Sequence, residues 1–292
     1  MRQVLLVSNP ASRRGGAWHG AAIAAFRAAG VTCDAVITEA PGHGAEIVAR
    51  LAPGYDAVFA LGGDGTVMEV VGALSGTGLP TGVLPGGTGN LIARRLGIPL
   101  DVRAAVRALV AGGSRRMDLG RLGDGRRFAY SVGCGVDAAM VEETPATLKR
   151  ALGMAGYVPA WTRAVLRSRR FAVRAVVDGR VIDREATSVM VCNQPAVMNG
   201  LMTFGPGISD RDGLLDLCVY SWGNAAEAAR VLWRLTRADF SESAGLVFAR
   251  GAHLEVETSP PQQVQADGEL LGAVRVTADV EPLAGLFLTP AA

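Results

Sequence analysis

The chain has 292 residues, 49% of them hydrophobic, which is enough for one large or two modest domains with buried cores and too apolar for a disordered chain. A net charge of +2 gives no strong field to steer a polyanion and by itself argues neither for nor against nucleic acid; no nucleic-acid partner is expected. Lys149 is the only lysine, which excludes the Gly-Lys-Ser/Thr phosphate loop and the strand lysine of protein kinases.

Val4 to Ser8 reads as a buried strand that ends in Asn9-Pro10-Ala11-Ser12, and an alanine-rich helix follows from about Ala17 to Ala29. Val31 to Thr38 supplies a second strand, and Pro41-Gly42-His43-Gly44 opens a helix to about Leu51. Ala57 to Leu61 is a continuous apolar run of the kind found in parallel sheets covered on both faces. It leads into Gly62-Gly63-Asp64-Gly65-Thr66 and a helix from Val67 to Leu74. Leu79 to Leu84 repeats the pattern, ending in Pro85-Gly86-Gly87-Thr88-Gly89-Asn90 before a helix near Leu91. Asp101 to Gly112 is a further helix. Glycine turns at the carboxyl ends of parallel strands let the backbone approach a phosphate, and the helix starts behind them favour an anion. An acid in such a turn repels phosphate unless it holds a metal or accepts a proton, so Asp64 points to Mg²⁺-nucleotide chemistry, with a plain N-capping aspartate as the alternative.

After residue 113 short alternating strands dominate. Arg115 to Leu122 and Arg127 to Val132 flank the turn Gly123-Asp124-Gly125, and Val173 to Val177 and Val181 to Glu185 flank Asp178-Gly179-Arg180. Ser188 to Cys192, Leu214 to Tyr220, His253 to Thr258, Val264 to Ala266 with Glu269 to Leu271, and Val274 to Ala278 continue the series. Two helical insertions, Pro145 to about Arg169 and Asn224 to Ala238, interrupt it. The expected division is an α/β domain over residues 1–123 and a mostly antiparallel β domain over 124–280. The four cysteines lack zinc or disulfide spacing, the N-terminus lacks a signal-peptide core, and no apolar run reaches about 18 residues. A cytoplasmic protein is expected.

The motifs Asn9-Pro10-Ala11-Ser12, Thr38 with Gly42-His43, Gly62 to Thr66 and Leu84 to Asn90 together resemble the diacylglycerol kinase catalytic-domain family, which includes bacterial lipid kinases and sphingosine and ceramide kinases. Asp118, Asp212-Gly213-Leu214-Leu215-Asp216 and Asp267-Gly268-Glu269 extend the resemblance to nearly the full length. The resemblance implies a three-layer αβα nucleotide domain of the NAD kinase and phosphofructokinase type, a β-sandwich lipid domain behind it, and a cleft for ATP with the lipid entering beside it. It returns residues 281–292 to the first domain. Phosphoryl transfer needs the phosphates held, their charge met and the acceptor hydroxyl deprotonated. By resemblance Asn9, Ser12, Thr38, Gly62, Gly63, Gly65, Thr66, Gly86, Gly87, Thr88 and Asn90 surround the nucleotide. Asp64 and Asp118 position Mg²⁺, Asp212 and Asp216 wrap a structural Mg²⁺ or, as the alternative, are solvated acids of a turn into the strand from Leu215 to Tyr220, and Asp267 is the general base with Glu269 nearby. In the sphingosine-kinase branch Asp64 takes the base role, and that choice stays open.

Leu91 stands where many bacterial members carry an aspartate, which leaves the acceptor lipid open. The basic, partly apolar segment from Leu148 and Lys149 to Arg170 suits either contact with the inner face of an anionic membrane or packing with a solvated arginine face. A homodimer is compatible with the sequence. The leading expectation is an ATP-dependent lipid kinase. The alternatives are a lipid- or nucleotide-binding regulator with little activity, a sphingoid or ceramide kinase and, behind these, an NAD kinase.

Overall fold

The structure is a computed structural model that describes residues 1–145, 147–148, 156–197, 202–241, 243 and 245–291. The chain divides into two compact units, Met1–Met117 with Leu283–Ala292, and Asp118–Pro282.

The first unit is an α/β fold. Strands β1 (Gln3–Ser8), β2 (Thr32–Ile37), β3 (Ala57–Gly62) and β4 (Thr81–Pro85) form a parallel sheet in the order β2-β1-β3-β4. In β3 and β4 every residue is buried, as a sheet covered on both faces requires, whereas edge strand β2 alternates between half-buried and exposed. Helices α1 (Gly15–Ala28), α2 (His43–Leu51), α3 (Asp64–Leu74), α4 (Leu91–Arg95) and α5 (Val102–Val110) connect them. Right-handed crossovers put α1 on one face and α2 and α3 on the other, and α1 packs with α5 while α2 packs with α3. Phe26 and Phe59 meet edge to face at 4.7 Å beneath α1, and Gly82 is glycine because a Cβ there would lie 2.3 Å from the Phe59 ring. Because the order turns back at β1, the carboxyl ends of β1 and β3 lie side by side at the switch point, where open α/β sheets bind ligands.

The second unit is an antiparallel β-sandwich. Its elements are β5 (Gly113–Leu122), β6 (Arg127–Phe128), β7 (Ser131–Gly135), α6 (Val136–Glu143), α7 (Val158–Arg167), β8 (Phe171–Val177), β9 (Arg180–Ala186), β10 (Ser188–Cys192), β11 (Ala196–Val197), β12 (Met202–Thr203), β13 (Leu215–Tyr220), α8 (Ala225–Thr236), β14 (Leu246–Gly251), β15 (His253–Ser259), β16 (Val264–Ala266), β17 (Glu269–Gly272) and β18 (Val276–Thr289). One sheet runs β14-β13-β10-β7-β16-β17. The other joins β9, β8, β15 and the first half of β18. Between them lie Phe128, Val173, Ala175, Leu215, Leu217, Val219, Leu254 and Val256.

The chain leaves the first unit within β5, at Met117/Asp118, earlier than the expected boundary at 123. It returns within β18 at Leu283, so Glu281, expected in the first domain, belongs to the second, where it pairs with Arg127 at 2.6 Å. Phe287 then pairs with Thr81 of β4 as a fifth parallel strand of the first unit. Four elements of the second unit were absent from the sequence reading, helix α6, strand β14 and the two-residue strands β11 and β12. In the first helical insertion Lys149 to Met154 lies outside the described residues. What is described is α7, which buries Ala160 and Ala164 and exposes Val158 and Leu166.

Candidate active site

In the first unit three loops interlock at the carboxyl ends of β1, β3 and β4. The Asn9 amide N–H donates to Leu61 O (2.8 Å) and its side-chain Nδ2 to Thr66 Oγ1 (3.0 Å), while its Oδ1 accepts the Ala11 N–H (2.9 Å). Ser12 Oγ donates to Asn9 O (2.8 Å) and accepts the Gly15 N–H (3.1 Å). Asn9 and Ser12 were expected to touch the nucleotide; in the structure their side chains build the loop and lash it to α3. Arg14 N–H donates to Gly86 O (2.9 Å) and Gly86 N–H to Gly62 O (2.8 Å), which ties the first loop to the third and the third to the second.

The contact between the two glycine loops is backbone against backbone. A Cβ on Gly87 would fall 2.5 Å from Gly63 Cα, one on Gly86 would fall 3.1 Å from Gly62 Cα, and one on Gly62 would fall 2.6 Å from the Thr66 side chain. Only glycine permits that approach, so these residues are fixed by loop geometry before any ligand is considered. Asn90 sits at φ +48° and closes its own loop, accepting the Gly87 N–H (2.9 Å) and donating to Gly87 O (3.0 Å). Thr38 is buried at the end of β2 with its N–H on Ser8 O (2.9 Å), while Gly65 and Thr88 are half-buried in the loops themselves.

Asp64 opens α3, yet its carboxylate reaches across to the start of α4, where the Ile92 N–H lies at 3.4 Å from Oδ1. Burial pushes its carboxyl up to about 6, against the pull of the backbone N–H groups of Ile92, Leu91 and Asn90. These amides together do not repay the desolvation. Leu91, at the place of the common aspartate, gives no second carboxylate and packs on Gly89. Asp64 is thus a lone, partly desolvated acid on a helix N-terminus, and it does not make a direct metal set.

Several residues of this region lay outside the sequence reading. Glu69 of α3 takes the N–H groups of Gly42 (2.8 Å) and Gly44 (3.0 Å), fixing the start of α2. Arg13 and Arg14 are exposed on the first loop, Arg14 stacked 4.7 Å over Trp18, and Arg94 holds Gly89 O through Nε (3.1 Å). The signal for these arginines was the near absence of lysine: any cation meeting a phosphate here must be an arginine.

In the second unit Asp267 and Gly268 form the two-residue turn between β16 and β17, with φ of +47° and +90°, the type I′ conformation that Asp-Gly favours. The Asp267 carboxylate accepts three backbone N–H groups, Ala129 on Oδ2 (2.8 Å) and Tyr130 and Ser131 on Oδ1 (2.9 Å each). Its own N–H returns to Ser131 O (3.0 Å). Asp267, expected as the general base, has most of its acceptor capacity committed to the backbone. Glu269, two residues on, is exposed.

The same 129–131 stretch is held from its other side by Asn193 and Gln194, both buried and both absent from the sequence reading. Asn193 Nδ2 donates to Asp118 O (2.8 Å) and Ala129 O (2.9 Å), and Gln194 Nε2 to Ala129 O (3.3 Å). Two consecutive amides at the end of an apolar strand were the available signal.

Asp118 is fully buried and its Oδ2 accepts the Gly213 N–H (2.8 Å). Asp212 Oδ1 accepts the Leu214 N–H (3.2 Å). Arg250 forks onto Asp216 Oδ1 through Nε (3.1 Å) and Nη2 (2.9 Å) and stands 3.9 Å from Asp212 Oδ2. Burial raises the Asp216 pKa, Arg250 pulls it down, and the charge of Asp212 adds to the rise. Where a structural Mg²⁺ was expected, the positive charge is a guanidinium. Asp216 Oδ2 is left buried with no hydrogen-bond partner, but among the described residues no three acidic, histidine or cysteine side chains converge into a metal set. These acids therefore do not fit a closed cation site, and no step is derived through one.

A family model for the diacylglycerol kinase catalytic domain matches residues 3–122, and one for the YegS C-terminal NAD kinase beta sandwich-like domain matches residues 130–288. A diacylglycerol kinase of Mycobacterium tuberculosis (strain H37Rv) is 30% identical over 299 aligned positions, covering 99% of this chain and 95% of that one. An uncharacterized protein of Synechocystis is 31% identical over 224 residues, and this chain spans about half (51%) of its length. The crystal structure of a putative diacylglycerol kinase from Bacillus anthracis superposes with a TM-score of 0.78 over 99% of this chain and 95% of that one; at 21% identity this likeness speaks to the fold.

Proposed function

Since the chain belongs to the diacylglycerol kinase catalytic-domain family, a family of lipid kinases, we propose that it transfers the γ-phosphoryl group of ATP to a hydroxyl of diacylglycerol or a closely related lipid. The observation that carries this reading is the interlocked pair of glycine loops, with Gly63 against Gly87 and a desolvated acid, Asp64, at their edge.

Backbone N–H groups of the loops at Gly63, Gly65 and Thr88 hold the phosphates, while those of Gly86 and Gly87 hold the loops together, and Arg13, Arg14 and Arg94 meet the phosphate charge. Mg²⁺ bound with the nucleotide would supply charge screening at the phosphates, with Asp64 the nearest acid of these loops to position it. Thr38 and the start of α2, set by Glu69, border the nucleotide. The acceptor oxygen attacks the γ-phosphorus as the bond to the β–γ bridging oxygen breaks, and ADP leaves. The acceptor proton passes to the Asp267-Gly268-Glu269 turn. Because Asp267 is committed to three amides, we assign the accepting role to Glu269 and treat Asp267 as its anchor.

The lipid is met at a membrane surface. Exposed Leu166 of α7 and exposed Trp233 of α8 lie among arginines, a composition that suits an anionic interface. No helix among the described residues is long and apolar enough to cross a membrane.

The test is transfer of label from [γ-³²P]ATP to a panel of diacylglycerol, monoacylglycerol, ceramide, sphingosine and NAD⁺ in mixed micelles. Labelled phosphatidate formed by the wild type and lost in Glu269→Gln supports the proposal. Label on NAD⁺ alone, or on no acceptor, overturns it.

A further inference from the structure

The turn that carries Glu269 is gripped from a second side, by a buried glutamine and a half-buried aspartate that the reaction as described does not use. Strand β7 carries Gly133 directly opposite Gln265 of β16. Gly133 has no room for a side chain: a Cβ would lie 2.0 Å from Asp137 Oδ2. The space it leaves is filled by Asp137, from the first turn of α6, whose Oδ2 accepts the Gln265 Nε2–H at 2.5 Å. Gln265 is 3% exposed, and its Oε1 accepts the Gly268 N–H at 2.7 Å. The chain of contacts is therefore Asp137, Gln265, Gly268, and the next residue is Glu269.

A glutamine between two partners can point either end of its amide at either of them. Gly268 offers only a donor, so Gln265 must present its oxygen there, and its NH₂ must then face Asp137. A carboxylate is the one side chain that accepts from that NH₂ and never competes as a donor. We propose that Asp137 is a positioning residue for phosphoryl transfer: by fixing the amide orientation of Gln265 it sets the Asp267-Gly268-Glu269 turn in the conformation that presents Glu269. This rests on the kinase reading above.

A protonated Asp137 would no longer select that orientation, since it can donate to Gln265 Oε1. Burial raises its carboxyl to about 6, with Gln265 pulling the other way, so the switch falls within an accessible range. The titratable groups facing it are Cys134 of β7, Cys192 of β10 and Tyr220 of β13, all pushed upward by burial and neutral at that pH. At the far end of α6, Glu143 pairs with Arg163 and Arg167 of α7.

Two measurements on the full chain test this. The first is the ¹⁵N–¹H resonance of Gly268 in the wild type, which is expected to titrate with a midpoint near that of Asp137 and to be flat in Asp137→Asn. A wild-type Gly268 signal that does not move between about pH 5 and 7 overturns the relay whether or not the protein is a kinase. The second is a charge exchange. Gln265→Glu sets two carboxylates face to face and is expected to cut kcat by about tenfold or more, leave the KM for ATP unchanged and move the acid limb of the pH profile upward by about one unit. Adding Asp137→Asn to it restores one carboxylate and one amide in exchanged places, and is expected to recover kcat to within about threefold of wild type. A double variant no better than Gln265→Glu alone would reduce the pair to packing and refute the proposal. Absence of phosphoryl transfer in the wild type, with the Gly268 titration present, would remove the kinase reading and leave the relay standing.

Discussion

Two aspartates in glycine turns, Asp64 of the first unit and Asp267 of the second, look interchangeable in the sequence and are opposites in the structure. Asp267 receives three backbone N–H groups at 2.8 to 2.9 Å and gives its own N–H back to the strand it anchors. Asp64 draws on the backbone N–H groups of Ile92, at 3.4 Å, Leu91 and Asn90, and is still raised to about 6 by the water it has lost. Asp267 is repaid by its surroundings, and Asp64 is held at a cost that folding alone does not explain. An unrepaid acid beside phosphate-type loops is where function is expected to reside, while a fully repaid one is architecture.

The largest effect that can break this comparison is at Asp267. Asp267→Ala would strand three N–H groups of the buried residues Ala129, Tyr130 and Ser131, and is expected to cost about 3 kcal/mol or more in urea unfolding. A change below about 1 kcal/mol would show that those bonds carry no net stability.

Next comes the pH dependence. A carboxyl whose folded value stands above its unfolded value binds more protons when folded, so stability falls as pH rises from about 4 to about 6. Asp64 and Asp137 both have this sign, each worth on the order of 2–3 kcal/mol across that range. Asp64→Asn is expected to flatten the fall measured by urea unfolding at successive pH values. An unchanged slope would mean that Asp64 is solvated.

The smallest effect concerns Arg250. Arg250→Ala uncovers Asp216 and is expected to cost about 1–2 kcal/mol, discounted because the guanidinium is partly exposed. The wild-type Tm is expected to be indifferent to millimolar Mg²⁺, and that of Arg250→Ala to rise with it. A wild-type Tm that rises with Mg²⁺ would restore the cation at Asp212 and Asp216 that the sequence suggested.

What was legible in the sequence was periodic or local. The βα units, the glycine turns and the Asp-Gly hairpins announce themselves because each is written within a few residues. Helix α6 escaped because eight residues follow a strand directly, through Gly135 at φ +73°, with no capping side chain to mark the start. Strand β14 escaped because Leu246–Gly251 has no flanking alternation strong enough to stand out after a helical insertion. The roles of the acids were illegible for a different reason. Asp64 meets an amide 28 positions away, Arg250 meets Asp216 across 34, and Gln265 meets Asp137 across 128. Whether an aspartate caps, anchors or reacts is decided by those partners.

The most direct test sets Asp64→Asn and Asp267→Asn side by side, measuring kcat for lipid phosphorylation and the urea midpoint of each at pH 8. Asn tolerates the positive φ at 267, so the backbone there is not the variable. The account expects Asp64→Asn to lose kcat by about a hundredfold or more with its midpoint kept or raised. It expects Asp267→Asn, whose NH₂ would face the Ala129 N–H, to lower the midpoint. An Asp64→Asn protein that is destabilised and keeps its kcat would make Asp64 a helix cap and contradict the account.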